Sequence, residues 1–128
     1  MIDASLILYT YLTQTTLTSL TGDRLWAERL VPLPDYKPHQ GQAICFRSRG
    51  GPIDYGSQLL RISFQFKCYG LDEARAMAGY RALFDVLHDA THQEMAHAGL
   101  EIAGQTLREP DTDWPFVLSF FGCVFKNA

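Results

Sequence analysis

The segment Leu59–Tyr69 constrains the fold more strongly than any other part of the sequence. Its apolar side chains alternate with polar ones, and the apolar set is Leu60, Ile62, Phe64, Phe66 and Cys68. Side chains of a β-strand point alternately to its two faces, so this spacing predicts a strand with one apolar and one polar face. Such a strand is half buried, because a second layer of structure has to cover its apolar face.

A helix is predicted immediately after this strand. Gly70 ends the strand, Asp72 can accept hydrogen bonds from the first backbone N–H groups of a helix, and Glu73 lies near the positive end of the helix dipole. The apolar residues that follow recur at helical spacing: Ala76, Met77, Tyr80, Leu83, Phe84 and Leu87. This spacing predicts one apolar stripe along a helix that reaches Ala90 and lies back across the strand.

The other segments predict a second helix and further strands. The helix is expected over Ala4–Thr13, where Asp3 can cap it, with a shorter turn near residues 16–20. The predicted strands are 25–30, 43–49, 100–107 and 116–125, and the predicted loops are 31–41, 48–57 and 92–99. The fold class is therefore α+β: an antiparallel or mixed sheet of about four to five strands with two helices, the longer one packed on one face. We expect a single domain over residues 1–128.

The composition of the chain bounds the possible classes of function. Hydrophobic residues make up 47% of the chain and charged residues 20%, which is typical of a globular protein. A net charge of -3 argues against a protein that binds nucleic acid by neutralising many phosphates, because that needs clustered lysines and arginines. The apolar run from Leu6 to Leu12 follows Asp3 without a leading basic residue, so we expect neither a signal peptide nor a membrane span.

The cysteines and histidines favour structural roles. Cys45, Cys68 and Cys123 are odd in number and lie inside apolar segments, so they are expected to be buried thiols in a reducing compartment. His88 and His92 are spaced to share one side of a helix, with His97 soon after, and could share a metal. Because no glutamate follows His88 as a zinc-protease motif requires, a solvated helix end is the favoured interpretation.

The glycine-rich and acidic segments are also interpreted as structural. Residues 48–51 lead into another strand rather than into a helix, so a hairpin is favoured over a phosphate-binding loop. Glu109, Asp111 and Asp113 lack the spacing of a calcium loop, so a solvated turn is favoured. No nucleophile has an identifiable base, and we expect neither enzymatic activity nor a cofactor.

The segment 116–125 is apolar on both faces and therefore needs cover on both sides. The long predicted helix can cover one of them. The candidates for the other face are the amino-terminal helix and a neighbouring subunit.

The order of the segments carries a family resemblance. A helix is followed by a Gly-Asp-Arg turn, a proline-rich extension, a hairpin with a long loop, an alternating strand, an alanine-rich helix and two closing strands. The residues that carry the pattern are Leu8, Tyr9 and Leu17, residues 20–25, residues 61–69, Asp72, Glu73, Ala74, Ala76 and Ala78, and the aromatic last strand. Over nearly the whole chain this order resembles the tail terminator or tail completion family of long-tailed bacteriophages. Trp26 and Ala27 depart from it, because many relatives have an aromatic residue followed by proline there.

The resemblance implies a structural virion protein. Members of the family form a hexameric ring on the last ring of tail-tube subunits, stop tube growth and present the surface to which the head connector docks. The implied partners are further copies of the chain, the tail-tube protein and the head-completion or connector protein. DNA would pass through without specific binding, no membrane is involved, and the location is the tail or neck of a virion assembled in the host cytoplasm. The alternatives are a head-side completion or stopper protein and a small ligand- or metal-binding α+β domain.

Five residues are predicted to contact a neighbouring subunit or the tail tube: Arg49, Asp54, Tyr55, Lys37 and His39. The first three lie in the hairpin loop 48–57, whose length, glycines and aromatic residue favour a contact. The last two lie in the proline-rich extension, which is long and polar.

Overall fold

The computed structural model describes residues 3–49, 53–54 and 59–126, and of residues 53–54 it describes only the backbone. The helices are α1 (Ala4–Thr13), α2 (Thr18–Thr21) and α3 (Glu73–Leu87), and Pro38–Gln40 forms a 3₁₀ turn. The strands are β1 (Leu25–Ala27), β2 (Ala43–Ser48), β3 (Ile53–Asp54), β4 (Leu59–Tyr69), β5 (Met95–Arg108) and β6 (Pro115–Lys126). The predicted α+β class is confirmed. None of the helices in the described ranges has the length and apolar character to span a bilayer.

One mixed sheet joins the six strands. Its main strands lie in the order β1-β2-β4-β6-β5, and the short β3 pairs with the beginning of β4. β1 and β2 are parallel, whereas the other neighbours are antiparallel. β4 and β6 pair along the whole of β4, from Leu59 opposite Lys126 to Tyr69 opposite Phe116. β6 therefore lies between β4 and β5, although it follows both of them in the sequence.

The apolar face of β4 forms the core, as its alternation predicts. Phe64, Phe66 and Cys68 are fully buried. The ring of Phe66 stacks on Phe46 of β2 with 5.1 Å between centroids, and it meets Phe121 of β6 edge-on at 5.4 Å. The alternation in the sequence of β4 therefore accounts for the packing between β2, β4 and β6.

Both long helices pack on this same face of the sheet. Leu12 of α1 and Leu83 of α3 are fully buried in one cluster with the phenylalanines of the sheet. The Tyr11 hydroxyl donates to the carbonyl oxygen of Val86 and joins the two helices directly. Because the buried side of α1 adjoins α3, the prediction that the amino-terminal helix could cover the opposite face of the last strand is wrong.

The predicted capping residues act as expected. Asp3 accepts a hydrogen bond from the Leu6 N–H at 3.1 Å, and Asp72 accepts one from the Arg75 N–H at 2.8 Å. These bonds satisfy donors that have no partner inside the first turn of a helix. The two helices therefore begin where the sequence predicts.

The turn between β4 and α3 requires a glycine, and α3 ends earlier than predicted. A Cβ on Gly70 would lie only 2.5 Å from the backbone nitrogen of Ala76. The helix was predicted to reach Ala90 but ends at Leu87. Asp89 adopts a left-handed backbone with φ of 62°, and this conformation turns the chain toward β5.

β5 begins earlier than predicted. Residues 92–99 were expected to be a polar loop, but the strand starts at Met95. Met95 and Ala98 are fully buried and pair with Phe125 and Cys123 of β6. The register shifts between Met95 and His97, so the two buried residues lie three positions apart and the period-two pattern of a strand is broken.

Part of the predicted hairpin loop 48–57 pairs with β4. The Arg49 N–H donates to the Ser63 carbonyl oxygen at 2.7 Å, and Ile53–Asp54 pairs with the first residues of β4. β3 therefore continues the line of β2 along the same edge. The length of β4 explains this, because β2 covers only part of that edge and the remaining backbone groups need partners.

Candidate interaction surface

The sheet face opposite the helices has two unlike halves. Residues 30–37 form a strap over the half where Tyr69 and Phe116 are buried. No segment of the described chain lies over the other half, the open half, whose side chains include those of Arg47, Arg49, Arg61, Phe120 and Val124. The strap and the open half together make up the candidate interaction surface.

A nearly buried ion pair fastens the strap to the sheet. Lys67 Nζ lies 2.5 Å from Glu109 Oε1, and the two side chains are only 13% and 16% exposed. The same ammonium group donates to the carbonyl oxygen of Leu30 at 3.0 Å, and it lies 4.4 Å from the centroid of the Phe116 ring. The Tyr69 hydroxyl also donates to the Glu109 carboxylate. Since Glu109 lies in the turn between β5 and β6, this network joins the strap, the central strand and that turn.

The protonation of this network follows from its contacts. Burial by itself would raise the pKa of Glu109, but the hydrogen bonds from Lys67 and Tyr69 outweigh it and bring the pKa below the ordinary value near 4.5. Burial, together with the hydrogen bond to Glu109, raises the pKa of Tyr69. At neutral pH Glu109 is therefore an ionised acceptor and Tyr69 a neutral donor.

Acidification should weaken the attachment of the strap to the sheet. Because the pKa of Glu109 is lower in the folded state than in the unfolded state, its contribution to stability is present above about pH 4.5 and is lost as pH falls through the folded-state pKa. We expect the free energy of unfolding to fall more steeply between about pH 5 and pH 3 for the native chain than for Glu109→Gln. Urea denaturation followed by circular dichroism at each pH measures this. Parallel curves for the two proteins would contradict it.

Three aromatic rings pack the inner side of the strap. Tyr36 is 2% exposed and meets Trp26 and Trp114 edge-on, with centroids 5.8 and 5.6 Å away. Its hydroxyl donates to the Gly41 carbonyl oxygen at 2.7 Å, and burial raises the pKa of Tyr36 to about 12, so it remains a donor. The strap is thus fixed by both polar and apolar contacts.

The outer side of the strap is apolar. Leu30, Val31 and Leu33 are 43%, 50% and 38% exposed, although the strap is fastened from within. Pro32 and Pro34 restrict the backbone, which reduces the conformational entropy that a partner would have to remove on binding. Neighbouring apolar side chains held in water on a restricted backbone are typical of an interaction site.

The open half combines arginines with apolar side chains. Arg47 and Arg61 are exposed, and the guanidinium carbon of Arg49 lies 4.4 Å from the centroid of the half-buried Phe120 ring. Arginine and aromatic residues are enriched in protein interfaces, where a guanidinium group can stack on a ring. This half therefore has the composition of a contact surface.

A cleft lies beside these arginines. Gly99 of β5 and Gly122 of β6 are directly opposite each other and contribute no side chains, and the side chains of His97 and Glu101 lie beside them. The cleft has a volume of about 420 Å³, and its walls include Arg61, Val124 and Glu101. The Ser63 hydroxyl donates a 2.6 Å hydrogen bond to Glu101 and holds its carboxylate beside Gly122. The cleft is large enough for an apolar side chain.

The five residues predicted as contacts fall into separate places. Lys37 and His39 are exposed beside and within the 3₁₀ turn after the strap, and Lys37 Nζ lies 5.9 Å from the Trp114 ring centroid. Arg49 lies on Phe120 in the open half. The backbone of Asp54 belongs to β3, whereas Tyr55 lies outside the described residues. Lys37 is near Trp114, whereas Arg49 contacts Phe120, six residues further along the chain and therefore about 20 Å away on an extended strand. Their role as contacts stays a prediction.

The histidines are not arranged around a common centre. His97 and His88 both approach the Asp89 carboxylate, at 3.3 and 3.6 Å, whereas His92 packs against the ring of Tyr11. In residues 3–49 and 59–126 no group of three or more histidine, cysteine or acidic side chains could hold a metal.

The three cysteines are free and buried. Burial raises the pKa of Cys45 and of Cys123 to about 12 and also raises the pKa of Cys68, so all three are protonated at neutral pH. Their predicted role as buried thiols is confirmed.

Sequence reasoning missed the residues that fasten the strap. Glu109 was assigned to a solvated turn, but its carboxylate accepts from both Lys67 and Tyr69. The alternation assigned Lys67 to the polar face of β4, and Tyr36 fell in the predicted loop 31–41. A signal was present for Tyr36, because an aromatic residue among prolines is a candidate for burial. No local signal pairs Lys67 with Glu109, since they lie far apart in the sequence.

Comparison with known proteins is informative about the fold. No family model matches the chain, and no curated protein matches it. Among solved structures, a chain in the virion of a native gene transfer agent particle matches with a TM-score of 0.65 and 17% sequence identity. The match covers 93% of this chain and 91% of that chain. The two chains share a fold.

Proposed function

We propose that this chain is a structural virion protein of the tail terminator kind. It forms a ring, expected to be hexameric, that caps the tail tube, stops its growth and presents the surface for joining to the head. The observation that carries the proposal is a fold match that spans nearly the whole of both chains, with a protein that is part of a virion. The order of sequence segments supports it independently, because that order resembles the terminator family over nearly the same length.

The exposed features of the chain agree with this role. A ring subunit needs at least two contact surfaces, because each copy meets a neighbour on either side. The strap offers exposed apolar side chains, and the open half offers arginines beside Phe120. Lys37, His39, Arg49, Asp54 and Tyr55 remain our candidates for contacts with a subunit or with the tube.

The proposal is tested by tube growth. Tail-tube protein is polymerised with and without the purified chain, and tube lengths are measured in negative stain. We expect shorter tubes whose ends carry gold-labelled chain, because a terminator occupies the position that the next tube ring would take. Unchanged lengths with unlabelled ends would contradict the proposal.

The same preparation distinguishes the proposed terminator role from the head-side alternative. A head-completion or stopper protein would bind connector rings isolated from heads and leave tube length unchanged. A terminator binds tube ends first, and it recruits the connector only after that. Adding the two assemblies separately to the labelled chain therefore distinguishes the two roles.

A further inference from the structure

We infer that the open half is a docking surface for an acidic segment of a partner protein, whose carboxylates meet the cations of this face and whose apolar side chains cover Phe120 and its neighbours. The inference goes beyond the role proposed above, and it applies to the single chain whether or not a ring forms. It is carried by the charge of this face and by the apolar side chains that lie among the charges.

The open half gathers positive charge. Lys126 shares this face with Val124, two positions before it on β6. Arg47 pairs with Gln65 of β4 and Lys126 pairs with Leu59, so the cations are spread over about 20 Å along the strands. A single small anion cannot reach all of them, whereas a polypeptide segment can. The exposed cations of this face are Arg47, Arg49, Arg61 and Lys126.

These cations have no counter-charge in the described chain. Within residues 3–49 and 59–126, the ion pairs all involve other residues. The chain as a whole has a net charge of -3, so this face differs in sign from the molecule to which it belongs. Like charges gathered on one face repel each other, and the carboxylates of a partner would relieve that repulsion.

Two carboxylates approach the open half from the side of β5, and each already has a partner there. Glu101 accepts the 2.6 Å hydrogen bond from the Ser63 hydroxyl, and Asp89 lies 3.3 Å from His97. The arginines of β2 and β4 and the lysine at the end of β6 therefore remain available to a partner.

Apolar side chains lie among the cations. The half-buried ring of Phe120 lies under the guanidinium group of Arg49, and Val124 pairs with Arg61. Ile102 of β5 pairs with Phe120 and is 53% exposed. A guanidinium group that lies over a ring can still donate its N–H groups to a carboxylate at its side. One partner can therefore use the charges and the apolar surface together.

This combination favours a protein partner over nucleic acid. A nucleic-acid backbone offers phosphates, and its binding depends on many clustered lysines and arginines. It would leave the exposed Ile102 side chain in water. Arginine and aromatic residues together are instead characteristic of protein interfaces. The segment that fits this face is therefore acidic and also carries apolar residues.

The test is a titration of the full chain, followed by fluorescence anisotropy. The probe is a labelled peptide, long enough to span the cations, in which glutamates are interspersed with leucine and phenylalanine. One control peptide has glutamine in place of glutamate, and a second has serine in place of leucine and phenylalanine. We expect the probe to bind at least about tenfold more tightly than the glutamine peptide at low salt, and to weaken as salt is added. A labelled DNA duplex should bind more weakly than the probe.

Variants locate the contact on the open half. The face variant combines Arg47→Gln with Arg61→Gln, and the matched control combines Arg75→Gln with Arg81→Gln, which removes the same charge from exposed positions of α3. The face variant should bind the probe at least about tenfold more weakly, whereas the control should bind it as the native chain does. Ile102→Ser should weaken binding of the probe and leave binding of the serine peptide unchanged.

Thermal unfolding distinguishes a contact role from a structural one. The face variant should be at least as stable as the native chain, because it loses repulsion between like charges and no ion pair. A clear loss of stability would assign the two arginines to the fold instead and would overturn the inference.

The remaining outcomes are equally decisive. Equal affinity for the probe and the glutamine peptide, or no binding of the probe up to about 1 mM, overturns the inference. A face variant that binds as the native chain does, or a control that loses binding equally, excludes this surface, and tighter binding of the duplex excludes a protein partner. Tube growth tests the proposed function independently, since peptide binding by the single chain requires neither a ring nor a tube.

Discussion

Replacing Lys67 with methionine is expected to lower the free energy of unfolding by about 3 kcal/mol. Methionine keeps the apolar stem of the side chain but leaves the Glu109 charge nearly buried without its partner. The Leu30 carbonyl oxygen loses its donor as well. Urea denaturation at neutral pH, followed by circular dichroism, measures the change.

An exposed ion pair provides the control. Arg75 and Asp72 form a pair whose side chains are 56% and 51% exposed, so Arg75→Met should cost about 0.5 kcal/mol. The double variant Lys67→Met with Glu109→Gln should recover part of the loss, because the uncompensated charge is gone. Equal losses in the free energy of unfolding for Lys67→Met and Arg75→Met would show that burial does not strengthen the contribution of the Lys67 ion pair.

Phe66→Ala is expected to lower the free energy of unfolding by about 3 to 5 kcal/mol. The ring is fully buried between Phe46 and Phe121, with 5.1 and 5.4 Å between centroids, so its removal leaves a cavity in the centre of the sheet. A loss of this size approaches the whole stability of many domains. Thermal unfolding and urea denaturation both report it.

The opposite face of the same sheet offers a matched control. Phe120 is half-buried in the open half and contacts the Arg49 guanidinium group. Phe120→Ala should cost about 1 kcal/mol, because solvent rather than a cavity replaces the ring. If both alanine variants lost the same stability, the open half would have to be covered in the isolated chain.

Elements with strong local patterns could be predicted from the sequence, and elements defined by distant pairing could not. The strict alternation in β4 and the capping aspartates Asp3 and Asp72 locate three elements to within a residue at their starts. The beginning of β5 was missed because Met95 and Ala98 become recognisable as strand residues only when β6 pairs with them. The shifted register that allows β5 to pair with β6 cannot be predicted from the local sequence.

The candidate surface was predictable only in part, for the same reason. The proline-rich stretch was recognised as long enough to have a role, and Lys37 and His39 were named in it. Its fastening depends on Lys67 reaching Glu109, which requires the register of β4 with β6 and of β6 with β5. The open half likewise exists because both helices pack on one face, an outcome that neither helix specifies alone.

The position of β6 between β4 and β5 affects how the chain folds during synthesis. β4 leaves the ribosome after β2 and α1, which can cover part of its phenylalanine face, but the backbone edge that pairs with β6 stays unpaired until α3, β5 and then β6 have followed. Such pairings between distant segments form slowly, and an unpaired apolar edge associates readily with other nascent chains. The yield of folded protein should therefore depend on elongation rate and chaperone supply, and slow codons between β4 and β6 should promote aggregation.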